Sequence, residues 1–211
     1  MTTMPSPVVY VVDDDPAVLR GMERLMRAGG FDYAVFASSE DFLNNVTREA
    51  VGCAVVDLVM PRVDGLQLQK ALVAHGCSLP IIFITGRGDI SSTVEAMKGG
   101  AIDFLTKPFK PQQLLSAIRV AIEANVSSWK ERCELGELQA RISTLTPRES
   151  EVLRHVIGGF LNKQTAAELG MTEKTVKFHR ANLLPKLRAS SVAELARLAA
   201  RAGIEPVMRR R

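Results

Sequence analysis

Apolar residues in the first half of the chain gather into short β-branched runs, and between these runs they recur every three or four positions. Val8–Val12 (VVYVV) reads as a strand buried on both faces. Asp15-Pro16 supplies an N-cap followed by proline at the first helical position, which predicts a helix from Pro16 to about Ala28, closed by Gly29-Gly30. Tyr33–Phe36 reads as a second strand, and Ser38/Ser39 opens a helix to about Arg48. Cys53–Val56 (CAVV) is a third strand ending in Asp57, followed by a helix over Gly65–Ala74. Ile81–Ile84 (IIFI) and Ile102–Leu105 are the fourth and fifth strands, with a helix over Ser91–Lys98 between them. Five such repeats within ~120 residues predict a doubly wound parallel sheet with helices on both faces.

From Pro111 the pattern turns helical. Leu115, Ile118, Ile122, Val126, Trp129 and Cys133 step by three or four along one face. Gly136 interrupts that phase, and Leu138, Ile142 and Leu145 resume it, while Asn125, Ser127, Ser128, Lys130, Glu131 and Arg132 occupy the remainder. This is a long linker helix; packing across a dimer through Trp129 is the alternative, and the heptads are too few to choose between them. Four helices follow. Thr146-Pro147-Arg148-Glu149 is a capping box opening a helix with Val152, Leu153, Val156 and Ile157 inward, stopped by Gly158-Gly159. A short helix from about Lys163 to Leu169 ends at Gly170, and Thr172 caps a third from Glu173. Ser191 with Glu194 reads as a further capping box, with helix through about Ala202. Gly170-Met171-Thr172 has the length of a helix-turn-helix turn.

Composition adds an asymmetry. The 211 residues carry a net charge of +4. Residues 1–122 hold nine Asp and four Glu against four Lys and seven Arg, a net of −2. Residues 123–211 hold ten Glu against five Lys and eleven Arg, a net of +6. Every aspartate lies at or before Asp103. One half is rich in the short carboxylates that suit metal and phosphoryl chemistry, and the other has the basic balance of a module that meets a polyanion. We read two domains with a connector: residues 1–122, a linker over 123–142, and residues 143–211. No apolar run approaches the ~18 residues of a membrane span, and the opening MTTMPSPVVYVVDDD lacks the basic region and cleavage site of a secretory signal. Three widely spaced cysteines fit neither a disulfide framework nor a zinc ribbon. A reducing, cytoplasmic home is expected.

In doubly wound sheets the reactive groups gather beyond the carboxyl ends of the strands. Asp13, Asp14 and Asp15 follow the first strand, Asp57 the third, Thr85 the fourth and Lys107 the fifth. Carboxylates converging there without a partner raise one another's pKa, so a cation is expected, and an all-oxygen set suits Mg²⁺. Lys107 supplies a point charge and Thr85 a hydroxyl for an anionic group at Asp57, whose carboxylate can itself act as nucleophile. The turn VMPRVDG after Asp57 offers a backbone carbonyl to the metal.

The stretches VVDDDP, VVDLVMPRVDGLQLQ, IIFITGRGDI and AMKGGAIDFLTKPF resemble a response-regulator receiver domain over residues 8–122. The resemblance implies a flavodoxin-like α/β fold with Asp57 as phosphoacceptor and Asp13 and Asp14 in the acidic pocket. It implies Mg²⁺ held by this pocket, by Asp14, Asp57 and the Val59 carbonyl with Asp13 included in the set. Thr85 and Lys107 would hold the phosphoryl group, Phe104 would be the aromatic switch, and a sensor histidine kinase would be the donor. Gly100 stands where relatives usually carry alanine. A haloacid-dehalogenase-type phosphatase also places an aspartate nucleophile after the first strand, but it needs an acidic pair after the lysine, and no aspartate follows Lys107.

On a wheel of the third helix of the basic half, Val176, Leu183 and Leu187 share the core side. Lys174, Phe178 and Ala181 point oppositely, with Lys177 on the flank. Such a face suits a major groove, with lysine to guanine acceptors or phosphate and apolar groups to thymine methyls. Lys163, His179, Arg180 and Lys186 lie where they reach phosphates. The run LTPRESEVLRHVIGGFLNKQTAAELGMTEKTVKFHRANLLPKL resembles the LuxR-type helix-turn-helix over about residues 143–204. The candidate DNA contacts are Lys163, Thr172, Lys174, Thr175, Lys177, Phe178, His179, Arg180 and Ala181. Pro185 departs from the pattern. An interior proline costs roughly 3 kcal/mol and a hydrogen bond, so this helix is expected to kink or end near Leu184. The tail Met208–Arg211 is expected to be disordered, adding nonspecific phosphate attraction at most.

Together the two resemblances imply a transcriptional regulator of the FixJ-like subfamily, expected to be no turnover enzyme. Phosphorylation would promote a homodimer on two half-sites of promoter duplex DNA, with RNA polymerase as a further partner. The alternative is a phosphorelay or protein-interaction module whose helical part binds a protein.

Overall fold

The computed structural model describes residues 4–86 and 90–208. The basic tail Arg209–Arg211 and positions 87–89, at the end of the fourth-strand motif, lie outside the described residues. The chain divides into two units, residues 1–130 and 131–211, a division that falls within the stretch read as linker.

The first unit contains β1 (Val8–Val12), α1 (Pro16–Gly29), β2 (Asp32–Phe36), α2 (Ser39–Asn45), β3 (Gly52–Asp57), α3 (Gly65–Ala74), β4 (Ile81–Thr85), α4 (Ile90–Lys98) and β5 (Asp103–Thr106). The first part of α5 (Pro111–Ile142) completes it. All pairings are parallel in the order β2-β1-β3-β4-β5. The doubly wound α/β sheet is thus as the strand pattern predicts. Strand alternation produces two cores. Val9, Val11, Cys53, Val55, Ile82 and Ile84 face Met22 and Met26 of α1 and Leu114 and Ile118 of α5. Val12, Ala54, Val56 and Phe83 face Phe42 of α2, Leu68 and Leu72 of α3 and Ala96 of α4. Burial pushes the Cys53 thiol up to about 12, so it serves as a small apolar core residue.

Helix starts follow their caps. Asp15 accepts the Ala17 N–H at 2.7 Å with Pro16 at the first position, and Ser38 accepts the Asp41 N–H. The end of α2 differs from expectation. It stops at Asn45, not near Arg48, because Val46 is extended (φ −81°, ψ 136°) while its N–H still closes on the Phe42 carbonyl. Gly52 needs its missing Cβ: at φ 136° an added methyl group would sit 1.9 Å from the Val8 carbonyl oxygen.

The second unit holds the end of α5 and α6 (Pro147–Ile157), α7 (Asn162–Leu169), α8 (Glu173–Leu187) and α9 (Val192–Arg201). Val152, Leu153, Val156, Ala166, Val176, Leu183, Leu187 and Leu195 form its core, with Ile142 and Leu145 packed against them. Gly136 does not break α5, which is helical over 32 residues. Nor does Pro185 end α8, which continues to Leu187 and closes on Arg188 in the left-handed region (φ 52°). The proline sits in the final turn, so only one ladder bond is lost, and Leu187 is buried beyond it. Thr146 and Glu149 form the expected reciprocal box. The box expected at Ser191 is half formed. Ser191 accepts the Glu194 N–H, but the Glu194 carboxylate turns to the backbone N–H and hydroxyl of Ser190.

Asn125, read from the pattern as part of the polar face of α5, is instead buried against the sheet. Its Oδ1 accepts the Gly52 N–H at 3.0 Å and its Nδ2 donates to the Ser78 carbonyl at 2.9 Å. It ties α5 to the start of β3 and to the residues leading into β4. Asn125→Ala leaves a buried donor and acceptor unpaired, so the first unit should lose about 1–3 kcal/mol in urea denaturation. A loss below about 0.5 kcal/mol would show that these bonds carry little stability.

Candidate functional site

The carboxyl ends of β1, β3, β4 and β5 bring four of the sequence candidates to one place. Asp13 and Asp57 are both buried, at 1% and 6% exposure, and the adjacent strands pair Val12 with Val56. Lys107 Nζ donates to Asp13 Oδ2 at 2.8 Å and to Asp57 Oδ1 at 2.9 Å. Each remaining carboxylate oxygen takes a backbone N–H: Asp15 to Asp13 Oδ1 at 2.9 Å, and Val59 to Asp57 Oδ2 at 3.2 Å. The Lys107 N–H is anchored on the Thr85 carbonyl at 2.7 Å, and Thr85 is fully buried at the end of β4. Phe104 pairs with Phe83 across β4 and β5 and packs half-buried against the core formed with α2, α3 and α4.

Burial pushes the Asp57 carboxyl above its ordinary range, outweighing the Lys107 hydrogen bond and charge; the Asp13 charge adds to the rise. Burial also works against the Lys107 charge, but the hydrogen bonds to Asp13 and Asp57 outweigh it and hold the ammonium above its usual value. The pocket therefore places two buried carboxylates, Asp13 and Asp57, beside one cation.

Asp14 stands apart from this bridge. It is exposed and makes no hydrogen bond or ion pair among the described residues. It borders a cleft of about 260 Å³ lined also by Ser38, Glu40, Met60 and Arg62. Among the described residues no three acidic, His or Cys side chains form a ready metal cluster. The sequence expectation of three unpartnered carboxylates is thus modified: Lys107 already partners two of them. The donor chemistry nonetheless suits a hard ion. Asp57 Oδ2 carries only one long backbone bond, Asp14 is open to solvent, and the turn at Val59 is 61% exposed.

In the second unit Val176, Leu183 and Leu187 are buried, as the wheel places them. Lys174, Thr175, Lys177 and Ala181 are exposed on α8, as is Phe178 at 63%. Thr172 caps α8 by accepting the Thr175 N–H at 3.1 Å, and the two hydroxyls bond each other at 2.9 Å. The His179 ring meets that of Phe178 edge to face at 5.7 Å, and Lys163 is exposed on α7. Arg180 is half-buried and donates to Asn162 Oδ1 at 3.0 Å, which fixes its side chain on α7. Lys186, expected to reach phosphates, instead donates to Glu149 at 2.6 Å. Only the capping role of Glu149 is visible in sequence; its second partner comes from packing α6 on α8.

Comparison with known proteins places both halves of the chain in known families. The family profile of the response regulator receiver domain matches residues 9–119, and that of bacterial regulatory proteins of the luxR family matches residues 143–199. Response regulator protein TmoT of Ectopseudomonas mendocina is 46% identical, over 92% of this chain and 88% of its own length. Transcriptional regulatory protein FixJ of Bradyrhizobium diazoefficiens is 38% identical over 93% of this chain and 96% of its own. The solved structure of response regulator StyR is 44% identical with a TM-score of 0.87, covering 93% of this chain and 99% of that one. The chain belongs to the two-component response regulators that join a receiver domain to a LuxR-type helix-turn-helix. It is a phosphorylation-dependent transcriptional regulator, whose receiver implies a sensor kinase partner and whose helix-turn-helix implies DNA. Receiver domains generally use Mg²⁺ for phosphorylation. No described helix is long and apolar enough to cross a membrane.

The Glu149 site has a pH signature. The Lys186 hydrogen bond, followed by that of the Thr146 N–H at 2.8 Å, holds the buried Glu149 carboxyl below its usual range. A carboxyl depressed by folding contributes stability that is present above its unfolded value, 4.5, and is lost as pH falls through the folded value. The second unit's urea midpoint, followed by circular dichroism, should therefore fall as the pH is lowered below about 4.5. Lys186→Met should flatten or reverse that slope, and an identical slope in the variant would refute the assignment.

Proposed function

We propose that Asp57 is the phosphoacceptor of this regulator. The observation that carries the reading is the Lys107 ammonium bonded to Asp57 and Asp13 at adjacent strand ends. An Asp57 oxygen attacks the phosphorus of a phosphohistidine on the sensor histidine kinase. The O–P bond forms as the P–N bond breaks, and the imidazole leaves. Lys107 balances the charge of the phosphoryl oxygens, and the Thr85 hydroxyl donates to them. Asp13, Asp14, Asp57 and the Val59 carbonyl would hold Mg²⁺, which when bound would neutralise charge as one anion approaches another. The pocket performs one self-modification and turns over no external substrate.

Phe104 then acts as the switch, and the altered receiver surface promotes a homodimer. In this reading residues 1–122 receive the signal, 123–142 connect, and 143–211 bind two half-sites of promoter DNA and work with RNA polymerase in the cytoplasm. Lys177, Phe178 and Ala181 face the bases, helped by Lys174, Thr172, Thr175, Lys163, His179 and Arg180.

Asp57→Asn should abolish labelling by a small acyl phosphate with Mg²⁺ and should remove phosphorylation-dependent DNA binding; undiminished labelling would sink the assignment. Lys177→Ala should weaken binding to a duplex selected by the wild-type chain by about 1–3 kcal/mol in titration. An unchanged affinity would mean that the helix presents another face.

A further inference from the structure

The last turn of α8 runs against its own sequence. Pro185 has no N–H, so the Ala181 carbonyl lacks the donor four residues on. Two ties from other elements hold that turn. Arg141, in the last turn of α5, donates Nη1 to the Leu187 carbonyl at 3.1 Å, at the final helical residue of α8. Lys186 is held by buried Glu149 of α6 at 2.6 Å. The Arg141 guanidinium meets the negative end of the α8 dipole, and its Nε, donating to the Glu137 carbonyl at 3.2 Å, fixes the plane of the fork. Its own backbone is anchored, since Leu138 is buried at 1% exposure and Ile142 packs on the core containing Val176, Leu183 and Leu187.

We propose that Arg141 is a positioning residue for DNA reading, setting the angle of α8 through the Leu187 carbonyl. The inference rests on the reading of α8 as the DNA-facing helix. Leverage makes the contact matter. Val176 and Leu187 are separated by about 16 Å of helix, so a tilt of about 10° at one end moves the other by about 3 Å. Hydrogen bonds to base edges tolerate only a few tenths of an ångström.

The test uses the phosphorylated full chain and two duplexes, one selected by the wild-type chain from a randomised library and its scrambled counterpart. Arg141→Met, which keeps the apolar stem, should lower the selected-to-scrambled affinity ratio about tenfold with scrambled binding unchanged. Arg141→Lys should recover most of the ratio. In the Pro185→Ala background, where the ladder bond to Ala181 is restored, the same Arg141→Met change should cost less than about threefold. An unchanged ratio overturns the proposal, as does an equal loss in both backgrounds. So does a parallel loss on both duplexes accompanied by a lower urea midpoint, which would mark general destabilisation. If the wild-type chain selects no duplex at all, the DNA reading of α8 itself fails and takes this inference with it.

Discussion

One ammonium group makes the acidic end of the sheet tolerable. Like charges about 4 Å apart repel by on the order of 4 kcal/mol at an effective dielectric near 20, and burying them adds a desolvation cost. Asp13 and Asp57 are buried side by side, and Lys107, just after β5, bonds to Asp57 from two strands away and to Asp13 from three. The strand order is what brings it there. The pocket keeps one negative charge in excess when all three groups are ionised, which is the condition for attracting a divalent ion. It also has a cation in place where phosphoryl oxygens would arrive.

The helical unit solves a different problem with similar means. The face of α8 proposed to read DNA carries exposed lysines and an exposed aromatic, none of which contributes to the core, so the orientation of α8 comes from its other side and its ends. Val176, Leu183 and Leu187 supply the inner face. Thr172 closes the N-terminal end, while Arg141 and the Glu149–Lys186 pair hold the C-terminal end past Pro185. Six basic residues of this unit separate into two groups. Lys163, Lys174 and Lys177 point outward, while Arg141, Arg180 and Lys186 are engaged by the protein itself.

Much of this was legible in the linear order of residues. Short continuous apolar runs located five strands, and the caps at Asp15, Thr146 and Thr172 began helices where local chemistry said they should. Those signals are short-range: an Asp or Thr oxygen satisfies an N–H two or three residues away whatever the rest of the chain does. The motif stretches around Asp13, Asp57, Thr85 and Lys107 carried the family and the composition of the pocket. The helical spacing of Val176, Leu183 and Leu187 carried the phase of α8.

Where expectation and structure part, the deciding contact joins residues far apart in sequence. Asn125 turns inward because Gly52 and Ser78 offer an N–H and a carbonyl beneath it. Helix α8 survives Pro185 because Leu187 is buried and Arg141 and Glu149 hold the turn from outside. Lys107 becomes a bridge between Asp13 and Asp57 because three strands end at one edge. Periodicity and capping are local properties and can be read along the chain. Which charge neutralises which, and which helix end is held by which neighbour, depends on distances that exist only once the sheet and the bundle have formed.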